Sequence, residues 1–369
     1  MKKITGMALV LFLAGFGPRG TDGAEKIRIA DAGRRQVEVP QDPKRVMAIG
    51  PGSLRMICYL EATDRLVGVE AFEKTQSVGR PYIMAYPELV KLPPIGQGGA
   101  SGINKEPDLE AVIRVSPQVI FVVSMESAKA EALQKKLGIP VVILSYGSAG
   151  RGTFDETAYE SLRLTGKILR KEKRAEEVIG FIEKSRQELL RKTERVKEDQ
   201  KPGVYAGGIG LHGMQGIEST DADYPPLEWV RARNLAREVA RQGHVFVDKE
   251  KLLSWNPDLI FVDAGGLSLI TQDYQRRPDF YRTLKAVREK RTYLLYPFNM
   301  YTTNIETVVA DAYAAGKVLY PNLFSDLDLP AKADAIYSFF LKRPVYGDLK
   351  KNFGELGRAI DLSLKTPGP

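Results

Sequence analysis

The chain has 369 residues, 43% hydrophobic and 27% charged, with a formal net charge of +8, one cysteine and two histidines. A single cysteine excludes an intramolecular disulfide, and two histidines exclude a histidine-rich metal site. Cations and anions alternate along the chain rather than cluster, which argues against nucleic acid as a partner.

Lys2 and Lys3 precede an apolar run over 4–16, and small and turn residues follow as far as Ala24. This is the layout of a secretory signal peptide, and the run is too short to span a bilayer. Asp22 stands where cleavage after Ala24 would prefer a small residue, so a mature terminus between Thr21 and Lys26 is expected. Loss of Lys2, Lys3, Arg19 and Asp22 lowers the net charge to +6. Cys58 lies in an apolar helical stretch, 54–60, and reads as a small buried hydrophobe. With no cysteine at the signal boundary, the expectation is a soluble periplasmic protein without a lipid anchor.

The rest of the chain is too long for one compact core and fits two domains. Alternation over 26–30 and 36–40 around Asp31-Ala32-Gly33-Arg34 predicts a β-hairpin. Short apolar strands follow at 46–50, 66–69, 119–123 and 141–144, with helices from Leu54 and over 126–137. Continuous apolar strands alternating with helices predict a parallel sheet covered on both faces. Helices are expected over 155–170 and 172–197. The second carries Val178, Ile182, Leu189 and Val196 on one stripe and would run about 40 Å. Ser185 and Lys192 interrupt the seam that a coiled coil would need, and Lys201-Pro202-Gly203 ends the helix. The α/β pattern then restarts: strands at 204–206, 259–262 and 293–296, helices at 227–240 and 305–320. Helical segments from Leu329, with Ile336, Phe339, Phe340 and Leu341, are expected to pack onto one lobe. The predicted organisation is a signal peptide (1–24), an N-terminal lobe (25–170), a linking helix (171–200), a C-terminal lobe (201–328) and a helical extension (329–369). The fold class is α/β, two Rossmann-like lobes with parallel sheets joined by one long α-helix.

The halves repeat one another. Residues 110–122 (EAVIRVSPQVIFV) align with 250–262 (EKLLSWNPDLIFV): a glutamate opens a short helix, a proline seven residues on breaks it, and a buried strand follows. A search for catalytic motifs finds no HExxH, GxSxG, Walker A or CxxC. Gly207-Gly208-Ile209-Gly210 lacks the GxGxxG spacing into a helix and reads as a cleft loop. Ligands of open α/β sheets bind beyond the carboxyl ends of the strands. The strand ends here offer glycines for close backbone approach, and tyrosine and methionine for flat contact. The candidate ligand contacts are Ser53, Arg80, Tyr82, Ser124, Glu126, Tyr146, His212, Met214, Gly265, Asn299, Met300 and Tyr301. Tyr146, Met300 and Tyr301 are preferred. Arg80, read as an exposed loop residue, would neutralise an anionic chelate.

The pattern Asp31-x-Gly33-Arg34-x-x-Val37-x-Val39-Pro40-x-x-Pro43-x-Arg45-Val46 resembles the opening of the iron-siderophore and vitamin B12 family of periplasmic binding proteins. The resemblance continues through residues 66–69, the Pro-Asp-Leu-Ile-Phe-Val strand and the helix start near Ile305, and covers most of 25–322. It implies two lobes joined by one helix and a cleft for a ferric siderophore, haem or cobalamin, with an ABC permease dimer as partner. It also implies that Glu110 and Glu250, one per lobe, dock to permease arginines. As helix N-terminal acids they also suit the helix dipole. An iron chelate is the leading ligand, with corrinoid or haem behind it; no cofactor of its own and a monomeric state are expected. Rival classes are a chelatase-like or iron-releasing enzyme on the same fold, disfavoured by scarce His and absent catalytic Cys, and a ligand-sensing module. The segment from Leu329 exceeds the shorter family members, and 80–101 matches no ligand-diagnostic pattern.

Overall fold

A computed structural model describes residues 25–75, 77–147, 156–211 and 213–364. The expected signal peptide, 1–24, and His212 lie outside the described residues. The first sheet is parallel, order β3 (Val46–Ile49), β4 (Val119–Val123), β5 (Val141–Leu144), and all its residues are buried. The hairpin of β1 (Lys26–Ala30) and β2 (Gln36–Pro40) forms as expected. It is pinned to β5 by Asp31, whose carboxylate bridges Arg35 and accepts the Ile143 amide. The second sheet contains β6 (Gly203–Gly207), β8 (Arg233–Asn234), β10 (Leu259–Asp263) and β11 (Thr292–Leu295), all parallel in the order β11-β10-β6-β8. An antiparallel pair, β7 (Ser219–Asp221) and β9 (His244–Phe246), stands beside it.

The linking helix is Glu172–Thr193, about 33 Å at the standard rise. Val178, Ile182 and Leu189 of the expected stripe are buried. One hydrophobic cluster runs through both lobes, the linking helix and the C-terminal helices, while a smaller one covers the other face of the first sheet. The helix Ile305–Leu319 is buried everywhere except Lys317 and Val318, in keeping with its apolar circumference. No described helix is long and apolar enough to cross a membrane.

Three expectations need correction. Residues 66–69 make only single bridges, Val46 to Leu66 and Val69 to Pro94, instead of a strand. The helix expected over 227–240 is broken: a short turn Pro225–Glu228 ends before Arg231, which sits at φ 51°, and β8 follows. Asn234 is the reason, since its side chain donates to the Asp221 and Ala222 carbonyls and accepts from the Ala236 amide, competing with helical pairing. The C-terminal helices pack on both lobes, not one. Leu329–Leu341 lies against Ile305–Leu319 on one side and against Ser53–Tyr59 and Pro81–Ala85 on the other. Tyr86 donates to the Leu341 carbonyl across this seam, and Phe339 stacks on Phe181 of the linking helix at 4.1 Å.

Candidate functional site

The carboxyl ends of both sheets face one cleft. From the first sheet come Gly50–Ser53 after β3, Ser124–Ser127 after β4 and Ser145–Gly147 after β5; from the second come loops after β6, β10 and β11. An open cavity of about 360 Å³ lies at the ends of β4 and β5, lined by Gly33, Ser124, Met125, Glu126, Ser127 and Tyr146 and bordered by Thr302 from the other lobe. The helix Ser127–Leu137 starts in this wall, and its N-cap residue Glu126 makes no side-chain capping bond. A second cavity, about 110 Å³, lies between Glu70, Gly96–Gly98 and Lys105.

The loop after β11 crosses to the opposite lobe and is held there by a buried cation. Arg55, fully buried in an otherwise apolar helix, donates to the carbonyls of Thr303, Met300 and Tyr301. Burial alone would lower its pKa, but Tyr146, Tyr82, Tyr59 and Glu306 around it hold it above its ordinary value. Tyr59 donates to Glu306, and Asn304 donates to the Gly79 carbonyl, adding two more links between the lobes. Tyr301 sits at φ 54°, packs its ring on Phe72 at 4.6 Å and donates to Glu70 Oε2 at 2.8 Å. Burial pushes the Glu70 carboxyl up to about 7, against the opposing pull of the Tyr301 hydroxyl and the Gly50 amide. Asp263 at the end of β10 is likewise pushed up to about 7 by burial, with the Gly265 amide pulling the other way.

The candidate contacts separate into two groups. Ser124 and Glu126 are exposed at the cleft, Met300 and Asn299 are half-buried in it, and Met214 is 54% exposed on the facing loop. Asn299 donates to the Gly210 carbonyl at 3.0 Å, tying two loops of one wall together, and the Gly265 amide is turned onto Asp263. Tyr146 lines the cavity with its ring while its hydroxyl donates to the Gly52 carbonyl. Ser53, Arg80 and Tyr82 lie behind the cleft. Ser53 donates to the Phe121 carbonyl; Arg80, expected on an exposed loop, is buried with its guanidinium paired to Glu73, which also accepts from Tyr82. The Phe72 and Thr75 carbonyls and the Phe72 ring complete the surroundings of this cation, which faces the core.

One constellation had no sequence signal. The β7–β9 pairing sets Ser219 Oγ 3.1 Å from His244 Nε2, and His244 Nδ1 2.9 Å from Asp221. The spacing is that of a hydrolytic triad, but the proton direction is wrong. Ser219 is fully buried and its hydroxyl donates to the Ile209 carbonyl, so that proton is engaged away from His244, whereas a serine nucleophile must give its proton to the imidazole. The described cleft walls carry hydroxyls, amides, a thioether and aromatic rings. Among the described residues no three His, Cys, Asp or Glu side chains converge as ligands for a bare metal ion. Cys58 is buried, its thiol pushed up by desolvation.

Comparison with known proteins places these features. A family model described as periplasmic binding protein matches residues 46–297. Molybdate-binding protein MolA of Haemophilus influenzae is 23% identical over 333 residues, 85% of this chain and 90% of that one. YvrC of Bacillus subtilis, named an uncharacterized ABC transporter substrate-binding lipoprotein, is 22% identical over 304 residues, 81% of this chain and 87% of that protein. Among solved structures, MolA bound to molybdate superposes with a TM-score of 0.66 at 21% identity, covering 86% of this chain and 98% of that chain. The petrobactin-binding protein YclQ of Bacillus subtilis gives 0.54 at 18% identity, with 80% and 99% covered.

Proposed function

Because the chain belongs to the periplasmic binding protein family and is the substrate-binding protein of an ABC transporter, we propose that its cargo is a metal complex, in first place an iron chelate of siderophore type. The observation that carries this reading is the cavity at the ends of β4 and β5, bordered by Thr302 of the other lobe. Its volume falls at the lower end for small-molecule sites, which favours a compact chelate over a corrinoid or haem. Its walls offer hydroxyls and a tyrosine ring, groups that grip the organic shell of a complex and leave the metal to its own ligands. The chain's positive balance suits an anionic complex. Similarity to a protein that binds petrobactin supports the same reading.

A molybdate-type oxyanion is the second reading, favoured by the likeness to MolA across most of both chains. In either case the protein is exported by a cleaved signal peptide, acts as a monomer and docks to a permease dimer through Glu110 and Glu250. Both carboxylates are exposed in the first turn of a seven-residue helix, one per lobe. Isothermal titration with a ferric catecholate chelate, sodium molybdate, cobalamin, haemin and ZnCl₂ tests the reading. The ferric chelate should bind at about 1 µM or tighter. Binding of molybdate alone moves the assignment to the second reading, and binding of bare Zn²⁺ with all complexes ignored overturns both.

A further inference from the structure

The internal repeat is closer in three dimensions than in sequence. Asp108 and Asp248, 140 residues apart, each cap a seven-residue helix by accepting the amide three residues on, from Ala111 and from Lys251. The helices Leu109–Val115 and Lys249–Trp255 end on residues in the same left-handed conformation, Ser116 at φ 44° and ψ 62°, Asn256 at φ 43° and ψ 63°. Buried Pro117 and Pro257 then lead into β4 and β10. At equivalent positions of these two helices the sequence puts a large apolar side chain in water: Ile113 is 63% exposed and Leu253 is 36% exposed. Their helix neighbours Val112 and Leu252 are buried, so the helices have already supplied their core face and these two residues are additional to it.

Ile113 follows Glu110 by three residues and Leu253 follows Glu250 by three, which sets each apolar group beside a carboxylate on one helix face. We infer that Ile113 and Leu253 are paired apolar anchors for the membrane permease dimer, each set beside its glutamate. The inference rests on the docking reading given above and adds a second chemical component to it. A partner with two-fold symmetry meets the same local surface twice; a single-site partner gives no reason for two matched copies, one on each lobe. The complementary patch on each half of the permease is a cation bordered by an apolar pocket. The carboxylate would set orientation and approach, and the desolvated aliphatic group would slow release.

The test is docking of the mature protein, loaded with the ferric catecholate chelate, to its permease–ATPase complex in lipid nanodiscs, with affinity for that chelate and thermal midpoint measured on the same samples. Ile113→Ser and Leu253→Ser should each weaken docking about fivefold, and the double variant by about twenty-fold or more, with faster dissociation. Cargo affinity and thermal midpoint should not change, and the exchanged pair Ile113→Leu with Leu253→Ile should dock like the parent. A double serine variant that docks within about twofold of the parent overturns the inference, as does an effect confined to one lobe. If Glu110→Ala with Glu250→Ala abolishes docking while the serine pair does not, the docking reading stands and the apolar anchors fall. If neither pair matters, both fall.

Discussion

The two lobes agree on their outer helices and part company at the cleft. Through the repeat the register holds: β4 is followed by a helix starting at Ser127, and β10 by one starting at Leu267, again 140 residues apart. Yet between strand and helix the first lobe has Val123-Ser124-Met125-Glu126 and the second Asp263-Ala264-Gly265-Gly266. One wall offers a hydroxyl and a carboxylate, with Ser124 held at φ 59°; the other offers bare backbone around a buried acid. The same backbone thus carries matched chemistry where a two-fold partner would touch both lobes and unlike chemistry where one ligand touches each once. Symmetry of the partner, not of the fold, decides which positions must match.

The largest expected effect lies at the base of the cleft, where the lobes are tied to each other. Arg55→Ala removes the donor to three carbonyls of the crossing loop and leaves Glu306 without a neighbouring cation. Urea unfolding should show a loss of about 3–5 kcal/mol. A loss below about 1 kcal/mol would mean that the loop is held by other contacts. On the outer faces, Glu110→Ala and Glu250→Ala should each weaken docking by about 1–3 kcal/mol, and together should stop uptake while cargo affinity is retained. Lost cargo affinity in the double variant would instead assign these residues to the cleft or to folding.

The smallest effect concerns pH. Glu70 is raised from 4.5 to about 7 in the fold, so the native state holds its proton where the unfolded chain has released it. Stability from this group is therefore intact below about pH 4.5 and declines as pH rises through 7. Asp263 acts in the same direction. Glu70→Gln keeps an acceptor for Tyr301 and should flatten the fall in thermal midpoint between pH 5 and 8, leaving the part due to Asp263. An unaltered slope would show that Glu70 is ionised in the fold.

The repeat helices, the hairpin and the linking helix were legible because each rests on local signals: an N-terminal acid, a Pro break, alternation, a stripe of period 3.6. The broken helix at 227–240 was not, because its apolar residues kept a helical spacing while Asn234 bonded carbonyls a dozen residues back. Arg80 was read as an exposed loop residue, whereas Glu73, supplied by a separate 3-10 turn, pairs with it inside the fold. The role of Arg55 did leave a trace, a lone cation in an apolar helix, but its three acceptors lie some 245 residues away. Ser219, Asp221 and His244 meet only through strand pairing, for which no motif exists.

The central claim is that the cleft carries a metal complex complete with its own ligands. Native mass spectrometry of the protein purified from its own periplasm reads this directly. The account predicts an added mass with the isotope pattern of a metal and the remainder of an organic chelator. An added mass equal to a bare metal ion would contradict it.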